Sequence, residues 1–170
     1  MDFEFDQLRH AEVTLPRRND PYAPTRRMLR AVHGADENRM LTYTFLPEGD
    51  PAARRCFVGE GQFFEGVLDS TLVRSLLDDP ASAAHLRELL AQGARVGVTA
   101  EPVRSILTIA DEQVIIGAVD DGGSPQGLIV TDDGEIPAWT EETVDTSLVQ
   151  AEQLTPEAID TRTVAADGGG

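Results

Sequence analysis

The chain has 170 residues and a formal net charge of −16, from 14 basic against 30 acidic side chains, and every basic residue is arginine. With no lysine anywhere, there is no P-loop lysine, no Schiff-base amine and no phospholipase-type His-x-Lys pair. A surface this acidic is also ill-suited to docking broadly on phosphate backbones, and the length fits one ordinary domain with its own core.

In chain order, a short opening segment runs to Leu15, followed by a stretch from Pro16 to Pro24 whose prolines and Asn19-Asp20 disfavour helix. A helix is predicted next. Pro24 suits its first turn, Met28, Leu29 and Val32 share one face, and Gly34 can end it. Residues 39–46 read as a strand through Met40, Leu41, Tyr43 and Phe45, and a short helix is predicted from about Pro51 to Val58.

Phe64 to Leu68 reads as a further strand, and Asp69 is placed to cap a helix carrying Leu72, Val73, Leu76 and Leu77. Pro80 interrupts it, and Ala83 to Gln92 follows as an amphipathic helix stopped by Gly93. Three strands crowd together at 95–99, 105–110 and 113–119, the last two joined by the hairpin pair Asp111-Glu112. After the turn at Asp120-Asp121-Gly122-Gly123 come a strand, Gly127 to Thr131, and a final helix from Pro137 to about Leu154. The expected fold is a single α/β domain over residues 1–155, with a mixed sheet, a C-terminal antiparallel meander and packed helices. Residues 156–170, ending in three glycines, read as a disordered acidic tail.

Composition sets the expected surroundings. No apolar run approaches the ~18 residues that cross a bilayer and no signal peptide opens the chain, so a cytoplasmic protein without a membrane partner is expected. Cys56 has no cysteine partner for a disulfide or zinc site and reads as a small buried apolar residue. Acid excess with Arg in place of Lys, and only 5% aromatic residues, is the composition of a halophilic protein, because molar salt shortens the Debye length to ~3 Å and screens carboxylate repulsion. The charge is uneven: residues 1–60 hold 9 Arg and 10 acids, a net −1, whereas residues 61–170 hold 5 Arg and 20 acids, a net −15.

Candidate chemistry is sparse. His10, His33 and His85 have no metal-ligand spacing and each has a structural explanation. Asp120-Asp121-Gly122-Gly123 and Asp132-Asp133-Gly134-Glu135 read as solvated turns, not as calcium loops. There is no Gly-x-Ser-x-Gly elbow, and Gly59, Gly61 and Gly66 are too scattered for a phosphate loop. No catalytic residue, metal site or cofactor is therefore expected. What stands out is an arginine cluster: between residues 9 and 30, six arginines face only Glu12 and Asp20, a local +4. Tyr22, Arg26, Arg27 and Arg30, with Trp139 from the last helix, form the candidate site for a small anionic ligand, held by bidentate hydrogen bonds and stacking.

Several short motifs fall in a familiar order. Ala11-Glu12-Val13 with Pro16 is followed by Asn19, Pro21, Tyr22 and Pro24, leading into the helix over 25–33. Glu65-Gly66-Val67 comes next, then the hairpin from Ile106 to Asp111 and Val114 to Gly117, and finally Trp139, Glu141-Glu142 and Ala151. Over about residues 3 to 155 the chain resembles the regulatory domain that follows the winged helix in archaeal transcriptional regulators of the methanogenesis and filament-regulator type. It departs from that pattern in the last helix, where Val144 and Ser147 stand in place of aromatic residues. The resemblance implies a non-catalytic sensor or interaction domain that binds a small anionic metabolite, self-associates or pairs with a winged-helix regulator. A winged helix takes roughly 60 to 70 residues, more than precede Leu15, so the expectation is a domain standing alone or detached from its DNA-binding half, with no direct nucleic-acid contact. The alternatives are a DNA-binding regulator touching phosphates through the arginine segment and, ranked lower, a phosphodiesterase-like hydrolase.

Overall fold

The computed structural model describes residues 9–43, 62–122 and 124–167. Eight strands make one mixed sheet: β1 (Glu12–Thr14), β2 (Glu37–Thr42), β3 (Phe63–Asp69), β4 (Arg95–Thr99), β5 (Ile106–Ala110), β6 (Gln113–Val119), β7 (Pro125–Thr131) and β8 (Glu152–Gln153). The helices are α1 (Ala23–Gly34), α2 (Ser70–Asp78), α3 (Pro80–Ala91), α4 (Ile136–Gln150) and α5 (Pro156–Asp167). The strand order is β1-β7-β6-β5-β2-β3-β4-β8, with β2, β3 and β4 parallel and every other pair antiparallel.

Because successive side chains on a strand point to opposite faces, each strand feeds two cores. On one face Met40, Phe64, Leu68, Val96, Ile115 and Val130 pack with Met28 and Val32 of α1, Val73 of α2, Leu86 of α3 and Ile159 of α5. On the other, Leu41, Val67, Leu107, Ile109 and Val114 meet Ile136 and Val144 of α4.

Local chemistry fixes the helix ends. The Asp69 carboxylate accepts the Thr71 N–H at 2.7 Å at the start of α2, and Asp79 accepts the Ser82 N–H at 3.0 Å at the start of α3, each satisfying a donor that the helix itself leaves open. Pro80 thus begins α3, three residues before the start expected from apolar spacing. At the far end of α1, the Asn38 and Gln62 side-chain amides donate to the Val32 carbonyl, at 3.1 and 3.0 Å. That polar task explains why β2 begins at Glu37 and Asn38, ahead of the apolar pattern. The expected continuation of this strand to residue 46, the helix over 51–58 and Cys56 lie outside the described residues.

Two expectations at the C-terminal end are corrected. The last long helix stops at Gln150, because Ala151 turns extended and the chain pairs with β4, with Gly97 opposite Gln153 and Val98 opposite Glu152. This approach requires glycine at 97, where a Cβ would sit 2.6 Å from the Ala151 Cβ. The supposed tail from residue 156 onward is in fact helical to Asp167. The Thr155 hydroxyl accepts the Ala158 N–H at 3.2 Å, Pro156 occupies the first helical position, and Ile159 is fully buried in the first core. Low overall apolarity hid a helix that one buried isoleucine anchors. Among the described residues, no helix is long and apolar enough to cross a membrane.

Candidate ligand site

Helix α1 lies over the β1, β7, β6 and β5 side of the sheet, burying Pro24, Thr25, Met28 and Val32. With 3.6 residues per turn, this leaves Arg27, Arg30, Ala31 and Gly34 along one flank. That flank and the β5–β6 hairpin bound an open groove of about 820 Å³ lined by Glu12, Arg27, Arg30, Ala31, Gly34, Ala35, Ala110, Asp111, Glu112 and Gln113. Its floor is made of small residues, and its walls carry charges of both signs.

The groove's electrostatics follow from which charges are already committed. Arg27 donates from Nε and Nη2 to the two Glu12 carboxylate oxygens at 2.9 and 2.8 Å, a bidentate fork that pins β1 to α1. This hydrogen bond, joined by the fields of Arg27 and Arg30 and opposed by partial burial, holds the Glu12 carboxyl below its ordinary 4.5. The same contact raises Arg27. On the opposite wall, Asp111 sits in the left-handed region at φ 52°, and its Oδ1 accepts the backbone N–H groups of Asp36 and Glu37 at 3.0 Å each. That carboxylate oxygen serves the fold. Arg30 is exposed and forms no hydrogen bond or ion pair among the described residues, so its guanidinium faces the groove with its donors available.

Of the five residues expected from the sequence to bind ligand, the structure brings two together in this groove, Arg27 and Arg30. Arg26 turns back to pair with Asp20 of the preceding turn. Tyr22 is half exposed at the start of α1 and does not line the groove. Trp139 packs with the second core on the opposite face of the sheet, because Ile136, Thr140 and Val144 are the buried stripe of α4 and carry the indole with them. Sequence spacing could not reveal which sheet face each helix would take.

Several groove residues escaped the sequence reading. The sequence reading gives Asp111 and Glu112 as a hairpin turn and Glu12 as a counter-charge and a motif residue, none of them as part of a site; the positive φ that an Asp in a two-residue hairpin adopts is the available signal. A second constellation was also missed. Arg39, Glu65 and Arg95 are in register across β2, β3 and β4, with Glu65 taking Arg39 at 3.5 Å and Arg95 at 2.9 Å, while Arg39 also pairs with Asp145 of α4. Its charges satisfy one another, so it reads as a brace between α4 and the parallel strands.

The other candidates have ordinary places. Asp120 accepts the Gly122 and Ser124 N–H groups at 2.9 Å, the geometry of a turn. His10, His33 and His85 lie respectively in a turn, in the last turn of α1 and in α3.

With this geometry in view, the comparisons with known proteins become decisive for the family. A model of the middle domain of the methanogenesis regulatory protein FilR1 matches residues 21–149. The chain belongs to this family. Its matched region runs from the residue before Tyr22 almost to the end of α4, and so takes in α1, the hairpin and most of both cores. Among curated proteins, no sequence matches this FilR1-type domain. Solved structures share its fold at low identity. An archaeal chromatin protein, TrmBL2, whose structure is described as showing a novel mode of DNA binding, aligns at 15% identity with a TM-score of 0.62 over 85% of this chain. The alignment spans 54% of the chromatin protein, about half of its length. Nuc, a phospholipase D family member from Salmonella typhimurium, aligns at 17% identity and TM-score 0.60 over 85% of this chain and 99% of its own. NucT from Helicobacter pylori aligns at 12% identity and TM-score 0.59 over 85% and 98%. The FilR1-type chain thus shares the α/β frame of these solved structures, in a sequence with no lysine.

Proposed function

We propose that this FilR1-type domain is the non-catalytic sensing or interaction part of an archaeal transcription regulator working in the cytoplasm, and that it takes a small anionic ligand in the groove between α1 and the β5–β6 hairpin. Arg30 carries this reading: a guanidinium with its donors uncommitted at the mouth of a groove of about 820 Å³. Glu12 is already used by Arg27, and one Asp111 oxygen by two backbone N–H groups. A carboxylate or phosphate, offering two oxygens side by side, meets the fork geometry of Arg30 in a way a cation does not. The shared fold raises the phosphodiesterase reading, but a chain without lysine cannot assemble a His-x-Lys pair. The arginine segment as a phosphate-backbone contact is weakened by its own pairing, since Arg26 and Arg27 are engaged with Asp20 and Glu12.

A thermal-shift series in molar KCl with carboxylate and phosphorylated metabolites tests the ligand reading. Stabilisation by at least one of them, lost in Arg30→Gln, is expected; no shift with any of them sinks it. A phosphodiester hydrolysis assay is expected to show no turnover.

A further inference from the structure

Among the described residues, the sheet face opposite α1 is only partly roofed. α4 packs over β2 to β6 on that side, and the strip that β6, β7 and the edge strand β1 continue beyond it is apolar. Val13 is 57% exposed and Leu15 59%. In register, Val13 lies beside Ile129 and Ile129 beside Ile116, while Gly127 lies beside Ala118. Leu15 leans on Gly127, its Cδ2 being 3.3 Å from where a Cβ would be. None of these six residues is ionisable.

In a chain of net charge −16, a charge-free strip across β1, β7 and β6 restricts what can cover it. Nucleic acid needs cations, and this strip has none. A basic protein would be drawn to the carboxylates elsewhere on the surface. A second copy of this chain meets the opposite constraint: repulsion between identical acidic surfaces is smallest where neither presents a carboxylate, and a two-fold axis sets this strip against itself. Val13 and Leu15 stand at the rim and Ala118 is exposed further in, so each copy presents apolar surface along the strip. We infer that a second copy of this chain packs face to face on the neutral strip of β1, β7 and β6, forming a homodimer across the second sheet face. This gives the interaction half of the proposed function a surface. It is independent of the groove, so failure to bind a ligand and failure to dimerise are separate results.

Sedimentation velocity of the full chain over a wide concentration range, at several KCl concentrations, tests the inference. A dimer is expected whose association strengthens as KCl rises, because salt screens the repulsion between two acidic copies while leaving apolar burial intact. Val13→Glu puts a carboxylate into the apolar strip of each copy and is expected to weaken association at least ~10-fold. Val13→Arg, which puts a charge of the other sign there, is expected to weaken it too. Since Val13 is more than half exposed, both variants are expected to melt with the wild type, and Leu15→Glu provides a second test at the same rim. A wild-type monomer at every concentration and salt overturns the proposal. So does a dimer indifferent to both glutamate variants, or one that weakens as KCl rises.

Discussion

The two faces of one sheet have different fates in this protein. Among the described residues, the strands bury Met40, Leu68, Ile115 and Val96 beneath α1, α2, α3 and α5 on one face, whereas the other face relies on α4 and ends in partly exposed strands. Both faces draw on the same strands, and Val114 and Ile115, neighbours in sequence, are each almost fully buried in different cores. Among the described residues, what separates the faces is the supply of helices: the crossover from β3 to β4 and the C-terminal α5 lie on the first side and α4 on the second. The second face can therefore be solid where α4 lies and still offer an uncovered strip beside it. The two sites proposed above divide the same way, the charged groove beside α1 and the neutral strip beyond α4.

The largest expected effects ask whether the two cores are equally firm. Ile115→Ala on the first face and Ile136→Ala on the second each remove a fully buried side chain, and each is expected to cost about 3 kcal/mol in urea unfolding at fixed KCl. A loss below ~1 kcal/mol for Ile136→Ala alone would mean that α4 is loosely held, making the comparison one of order against disorder. Gly97→Ala tests the seam where α4 hands the chain to β8. Its Cβ would meet the Ala151 Cβ at 2.6 Å, and a loss of about 2 kcal/mol is expected in the same assay.

Smaller effects belong to the groove. Glu12 is held below its ordinary 4.5 by the Arg27 hydrogen bond, so the folded state favours its charged form. The stability it contributes is complete above 4.5 and is lost as pH falls through the depressed folded value. Arg27→Met is expected to cost about 1 kcal/mol or less at neutral pH, since Glu12 is half exposed and salt screens the pair. Glu12→Gln is expected to flatten part of the acid limb of the stability curve, measured by thermal melts from pH 3 to 6; an unchanged limb would show that the fork contributes nothing. The smallest change in stability is expected for Arg30→Gln, within about 0.5 kcal/mol of wild type, although the proposed ligand shift should vanish. A large loss of stability there would make Arg30 a structural residue and remove the argument for the groove as a ligand site.

Much of the fold was legible in residue order because its signals were local. Asp69 precedes the helix it caps, Pro24 sits in a first turn, and Asp111-Glu112 closes a hairpin. Even the missed helix α5 carried a local signature in Thr155, Pro156 and Glu157, outweighed by a low-apolar composition that suggested a tail. The candidate site was legible only in part. Arg27 and Arg30 are three apart on a helix and must share a flank, but Glu12 reaches that flank from β1, and Asp111 and Glu112 reach it from some 80 residues further along the chain. Trp139 failed as a site residue for the complementary reason. A helix's apolar stripe shows that it will be buried without showing on which side of a sheet.

The sequence by itself determined the chemistry available to this protein: no lysine, a strongly acidic second part, an arginine cluster beside a proline-rich turn, and motifs whose order marks the FilR1 middle-domain family. Tertiary structure alone decided how the three arginines of α1 are used, since among the described residues Arg26 and Arg27 pair with carboxylates and Arg30 forms no ion pair. It alone decided that one sheet face would be closed and the other left with a neutral margin. The reason is range. Caps, turns and periodicity act within a few residues, whereas pairing of charges and coverage of a sheet depend on which distant segments the topology makes neighbours.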